Sequence, residues 1–160
     1  MLVKQITFEE ILPIWHEHLW PCRESAIETH SAMTWPFSSK IKHDMHIFNY
    51  TPSFWGVFID SKIVGVNSGH STTDIEYRSR GLWVDPTYRK LGIAQMLLLM
   101  TEHTARNSGA TMIWTMPRKT ALVAYTRSGF RTIGDFFGTE TAEANIYAFK
   151  PLLSEDNQLK

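Results

Sequence analysis

The chain has 160 residues, enough for one domain with a real core, and its 43% hydrophobic and 12% aromatic content argues against disorder. Sixteen basic residues balance sixteen acidic ones, so composition gives no support for nucleic-acid binding, which ordinarily brings a basic excess. Cys22 is the one cysteine, which excludes an internal disulfide and a zinc site built on paired cysteines.

The opening Met1-Leu2-Val3-Lys4-Gln5-Ile6 is too short and too interrupted for a signal peptide, and no apolar run approaches the roughly 20 residues of a membrane span. A soluble cytoplasmic protein without membrane contact is the expectation. Leu2 to Thr7 reads as a first strand. Thr7 and Glu10 form a capping box for a helix over Phe8 to Trp20, with Ile11, Ile14, Trp15 and Leu19 at helical spacing and Pro21 as its stop. Arg23 to Phe37 has no clear period. Ile41 to Tyr50 is a possible second helix with Ile41, Met45 and Phe48 inward.

From Ser53 the period changes to two. Phe54 to Ile59 and Ile63 to Ser71 are strands joined by a tight turn at Asp60-Ser61-Lys62, and Glu76 to Val84 continues the meander, with Gly81 inviting a bulge. Gly92 to Asn107 reads as a helix, apolar on most faces and so expected to be covered. Met112 to Met116 is a short strand, Thr120 to Ser128 a helix closed by Gly129, and Arg131 to Phe137 and Asn145 to Lys150 are the last strands. One domain over residues 1–153 and a polar tail over 154–160 follow. Strands bracket helices without strict alternation, which predicts an α/β protein with a mixed sheet and helices on both faces.

The most telling stretch is Leu82-Trp83-Val84-Asp85-Pro86-Thr87-Tyr88-Arg89-Lys90-Leu91-Gly92-Ile93-Ala94. A strand runs into a turn that opens directly into a long helix. The first amides of a helix lack intrahelical partners and carry positive partial charge. Gly92 and Ala94 let a ligand approach the backbone closely, and Arg89 and Lys90 add charge, so this junction is a candidate pyrophosphate site.

Arg89-x-x-Gly92-x-Ala94 after a strand ending Leu-Trp-Val resembles the acyl-CoA loop of the GCN5-related N-acetyltransferases. Downstream, Ala121-Leu122-Val123-Ala124-Tyr125-Thr126-Arg127-Ser128-Gly129-Phe130 resembles that family's fourth helix, with its tyrosine and terminal Gly-Phe. The resemblance implies about seven strands, largely antiparallel, flanked by about four helices. It also implies a split between the fourth and fifth strands that holds the acyl-CoA arm. Acetyl-CoA as co-substrate would then lie on Arg89, Lys90, Leu91, Gly92, Ile93 and Ala94 and along Trp83 and Val84. A primary amine on a small molecule or peptide would attack the thioester, and a homodimer is compatible with it. Tyr125 stands at the family's tyrosine position, and a phenol, protonated at neutral pH, can donate to a departing thiolate.

One residue departs from the family pattern: Arg118 stands where asparagine is common, so that role is not carried over. Glu76, on the same face of its strand as Arg78 and Arg80, is the candidate base, acting through water, with Asp74 and His70 as neighbours. Trp35 and Phe37 either shape the acceptor pocket or close the core. His43 and His46 are one helical turn apart, but no third ligand is evident and no metal is expected. Cys22 reads as a packing residue. The expected activity is N-acetyl transfer. The alternatives are a CoA or acyl-CoA sensor without turnover and, last, a nucleic-acid patch of Arg78, Arg80, Arg118, Lys119 and Arg127.

Overall fold

In a computed structural model the fold is set by seven strands in one sheet of order β1-β2-β3-β4-β5-β7-β6. Residues 1–38, 45–138 and 144–152 are described. The strands are β1 Leu2–Gln5, β2 Ser53–Ile59, β3 Lys62–Ser71, β4 Glu76–Val84, β5 Met112–Thr115, β6 Arg131–Phe137 and β7 Asn145–Pro151. All neighbours run antiparallel except β4 and β5, which are parallel. Asp60 and Ser61 close the β2–β3 hairpin with φ of 50° and 64°, the left-handed pair that matches the twist of the strands.

The α-helices are α1 Phe8–Ile14, α2 Ile93–Asn107 and α3 Leu122–Arg127. The capping box holds: Thr7 Oγ1 accepts from Glu10 N–H, and the Glu10 carboxylate accepts from Thr7 N–H. The first helix does not run regularly to Trp20; it widens into a π-helical turn over Trp15–Leu19, where Trp20 N–H reaches back to Trp15 O. The expected second helix is represented by a 3₁₀ turn at Met45–Asn49; the rest of that segment lies outside the described residues, as do His43 and the tail. The end of the chain that precedes the tail pairs as β7, so the sheet takes in residues on both sides of the central helix.

Packing follows the alternation of β2 and β3. Ile6, Ile11, Trp15, Phe54 and Val66 bury on the α1 face, and Trp55, Val57, Val64, Ile93 and Leu97 on the α2 face. Tyr77, Leu98, Ala105, Ile113, Tyr125, Phe130 and Ala148 join α2 and α3 to the far half of the sheet. As expected, α2 is largely covered: of its apolar residues only Leu99, 60% exposed, is on the open side with His103 and Asn107.

Two irregularities position the site. On β4, two residues (Gly81 and Leu82) stand opposite one on β3 (Asn67), and Gly81, at φ 77°, takes the conformation the bulge needs. A Cβ there would lie 2.4 Å from Trp15 Nε1, which donates to Gly81 O at 2.9 Å, so glycine is needed both for the conformation and for the contact. The second is the split itself. β5 pairs with β4 only at Glu76, Tyr77 and Arg78, and the strands then part, leaving Ser79 to Val84 without a neighbour on that side.

Candidate functional site

Where the strands part, a cleft of about 930 Å³ opens. Its walls include Ser79 to Val84 of β4, Thr115 to Arg118 after β5, the loop and first turn leading into α2, and Ala124 and Tyr125 of α3. Two distant sequence motifs therefore meet in one space.

At one end lies the loop before α2. Lys90 at φ 65° and Gly92 at φ 79° are both left-handed and flank Leu91. Alternation of this kind turns successive amides toward one side, a concavity suited to an anion. The first intrahelical bond runs from Met96 N–H to Gly92 O, so the amides from Ile93 to Gln95 have no partner within the helix. A Cβ on Gly92 would meet nothing within 4 Å, so that residue is glycine for its backbone rather than for crowding within the chain. Arg89, Lys90, Gly92, Ile93 and Ala94 line the cleft as expected. Leu91 does not; it is 55% exposed outside it. Ile93 lines the cleft by its backbone, since its side chain is buried among Val57, Val64 and Leu97.

Trp83 and Val84 form the adjoining wall on the open half of β4. Their side chains pack inward, Trp83 under the His18 ring at 4.3 Å and Val84 against the α2 core. What they offer a ligand is an unpaired strand edge.

Tyr125 stands at the other end. Its ring packs edge-on against Phe130 at 5.1 Å, and the turn that places Phe130 is closed by Phe130 N–H to Tyr125 O, with Gly129 left-handed at φ 92°. The hydroxyl is 3.3 Å from Ser79 Oγ. Ser79 Oγ accepts from Asn67 Nδ2, which also donates to Thr101 Oγ1, both at 2.9 Å. Ser79 Oγ keeps its own proton while accepting from Asn67, so it can donate to Tyr125 and leave the phenol O–H able to turn elsewhere. Burial raises the Tyr125 pKa, against the opposing pull of Ser79, Thr115 and the Arg78 charge, so the phenol is held in its protonated form at neutral pH.

The other expected residues are not gathered here. Glu76 is buried at the closed end of β4 and is absent from the cleft wall; its Oε1 accepts from Ser38 Oγ at 3.1 Å and Thr73 Oγ1 at 2.9 Å. His70 is buried as a neutral ring: Nδ1–H faces Ser71 O and Nε2 accepts from Ser31 N–H. Trp35 packs on Trp114, Tyr147 and Phe149, covering the sheet beyond the split, while Phe37 beside it is 52% exposed. Arg118 reaches across the cleft. Its Nη2 donates to Leu19 O, tying the segment after β5 to the end of the π turn across the cleft. Cys22 is exposed, not packed. Arg78 and Arg80 are 7% and 6% exposed, so the suggested basic patch is not a surface. Sequence reading gave Arg78 and Arg80 no role in the site, yet both line the cleft. The signal available was their alternation with Tyr77 and Ser79 on a strand that must lie inside the sheet.

The acetyltransferase (GNAT) family model matches residues 12–130, and the chain belongs to this family. Among solved structures, the GNAT-family acetyltransferase of Staphylococcus aureus Mu50 superposes with a TM-score of 0.63 at 18% identity, over 95% of this chain and 99% of that one. The PaiA N-acetyltransferase of Thermoplasma acidophilum, in complex with coenzyme A, gives 0.54 at 19% identity over 67% of this chain and 65% of that one. A Bacillus subtilis acetyltransferase in complex with CoA gives 0.53 at 16% over 64% and 78%. No curated protein sequence matches the chain. Among the described residues no helix is long and apolar enough to cross a membrane.

Proposed function

We propose that the protein transfers an acetyl group from acetyl-CoA to a primary amine. The observation that carries this is the joining, in one cleft, of an amide-rich helix entrance and a buried, protonated tyrosine at the point where β4 leaves β5. The diphosphate would take the free amides from Ile93 to Gln95 and the charges of Arg89 and Lys90. The pantetheine arm carries two amides and can pair with the open edge at Trp83 and Val84. That direction lays the thioester toward Ser79 and Tyr125.

The neutral amine attacks the thioester carbonyl, forming the C–N bond and an oxyanion. Backbone N–H groups near Val84 are suited to hold that charge; such a donor is worth about 3–4 kcal/mol in other enzymes. The C–S bond then breaks, Tyr125 gives its proton to the sulfur, and the proton lost by the nitrogen restores the phenol through water. We assign no proton transfer to Glu76, whose carboxylate is already engaged by two hydroxyls. The cellular compartment expected for this chemistry is the cytoplasm, where acetyl-CoA is met.

Incubation with acetyl-CoA and a panel of amines, following free thiol and the mass of the product, tests the assignment. Thiol release that depends on the amine is the expected result. CoA binding with no turnover on any amine would leave a sensor; no association with CoA at all would remove the site.

A further inference from the structure

Arg78 is the feature that acetyl transfer, as outlined, leaves unused. It occupies the last position at which β4 and β5 pair, on the face opposite Ser79, and it lines the cleft. Its guanidinium is buried, and neither Nε nor Nη1 has a hydrogen-bond partner. The ring of Trp114, 5.1 Å from Cζ, covers one side. Among the described residues no carboxylate pairs with it: Glu76, on its own face, spends Oε1 on Ser38 and Thr73. Arg80, two residues on, adds a second cation, held by Glu28 O at 2.8 Å and the faces of Trp15 and Trp20 at 5.0 and 5.2 Å.

Such an arrangement is costly. A buried charge without a partner loses its solvation; burial depresses the Arg78 pKa to about 10, and burial with the charges of Arg78 and Arg23 depresses that of Arg80 to about 9. Both stay charged at neutral pH. The neighbouring rings neither add to this charge nor offset it: His70, paired in register with Arg78, and His30, 5.0 Å from the His70 ring, have their pKa values lowered chiefly by burial. A planar guanidinium with two unpaired N–H groups, on a residue that lines the cleft, has the chemistry to bind a planar oxyanion. The CoA phosphates do not answer the need, because the helix entrance that would take them lies at the other end of the cleft. What comes to Arg78 must come with the acceptor.

We infer that the acceptor is an amine that also carries a carboxylate, bound by Arg78 with Arg80 adding field. This rests on the acetyltransferase reading above, and it narrows the acceptor from amines in general to the amino-acid class. Arg78 is here a binding residue: it places the amine at the split and rejects acceptors that would leave it unpaired. Sites built around a charged hydrogen-bonding group discriminate strongly for this reason.

The test compares free L-amino acids with the same amino acids as carboxamides, by thiol release, in wild type, Arg78→Gln and Arg78→Lys. Wild type is expected to favour the acid by at least about 30-fold in kcat/KM, Gln to bring that ratio near one, and Lys to fall between. Amides used as well as acids by the wild type, or a preference unchanged in Arg78→Gln, overturns the inference. Calorimetric titration of CoA separates this from the underlying activity. If CoA binds but no amine turns over, N-acetyl amino acids and their amides are titrated into the CoA-loaded protein; if CoA does not bind, the same titration is done without it. Binding of the acid alone, lost in Arg78→Gln, upholds the anion site, and binding of neither ends it. Aminophosphonates serve as a further arm: acylation in preference to the carboxylates would overturn the assignment of the anion. Arg78→Met replaces an unpaired buried charge with an apolar chain of similar length and should unfold at a higher temperature than wild type; should the Gln variant fail to fold, the Met variant takes its place.

Discussion

On one face of β4, Tyr77 and Ser79 have every hydroxyl placed. Tyr77 meets Ser53 at 2.9 Å, with its pKa raised to about 12, and Ser79 joins Asn67, Thr101 and Tyr125 in one buried chain. On the other face, two residues of the same strand bury guanidinium groups that the protein does not neutralise. Neutral polar groups can be satisfied internally at little net cost, whereas an unpaired charge can be tolerated only if something else completes it. The first face has its hydroxyls settled, with Asn67 Oδ1 as its one unpaired atom among the described residues, and it orients one phenol. The second is unfinished without a ligand. Both meet at Arg78 and Ser79, where the sheet divides.

The sharpest way to break this contrast is Tyr125→Phe. The ring stays against Phe130 and only the O–H is lost, so kcat should fall by about 100-fold or more, as for removal of a positioned acid, while CoA affinity changes less than about twofold. Unchanged kcat would strip the satisfied face of its chemical purpose.

Gly92→Glu attacks the entrance instead. The left-handed backbone strains any non-glycine residue by about 1–2 kcal/mol, but no atom stands within 4 Å of the new Cβ, so the variant should fold. A carboxylate over the free amides should weaken CoA binding by about 100-fold, read by calorimetry, while the strain lowers the thermal midpoint by only about 2–8 °C. Wild-type affinity would exclude this loop as the diphosphate site.

The sequence was legible where local chemistry decides. The Thr7–Glu10 box, the Asp60-Ser61 turn, the strand limits of β4 and the glycine stops all appear as read, because each depends on residues within a few positions. The split and the meeting of the two motifs came through resemblance, since parallel pairing of β4 with β5 joins residues 36 apart that carry no local sign of each other. The π turn at Trp15–Leu19 was invisible for a related reason: it accompanies the bond from Trp15 Nε1 to Gly81 O, a contact between residues 66 apart. Glu76 and Arg78 look alike in sequence, as charged residues alternating on one strand. Their difference, a carboxylate engaged by Ser38 and Thr73 against a guanidinium left free, is set by loops that the period of β4 does not encode.

The unfinished face also has a pH signature. His30 and His70 have pKa values below the ordinary 6.5, His70 well below, chiefly through burial, with the Arg78 and Arg80 charges pushing the same way. The unfolded chain binds protons at these sites before the folded one does. The stability they contribute is therefore present above about pH 6.5 and lost as pH falls below it, at up to about 1.4 kcal/mol per pH unit for each ring. Chemical denaturation at pH 7.5 and 5.5 should differ by about 1–2.5 kcal/mol in this direction. A flat profile would mean that these rings charge freely beside the arginines.

Ser79→Ala probes the finished face at its smallest joint. The substitution removes one acceptor from Asn67 Nδ2 and one donor from Tyr125, while Thr101 still accepts from Asn67 and Thr115 still reaches the phenol. Because the amide keeps one partner and the phenol keeps another, stability should drop by only about 1 kcal/mol. The phenol, less firmly aimed, should lose about three- to tenfold in kcat, with no change in CoA affinity. In the Tyr125→Phe background the same change should cost nothing further in kcat, since Ser79 acts on turnover only through that hydroxyl. An additive loss in the double variant would show that Ser79 touches the reacting atoms itself.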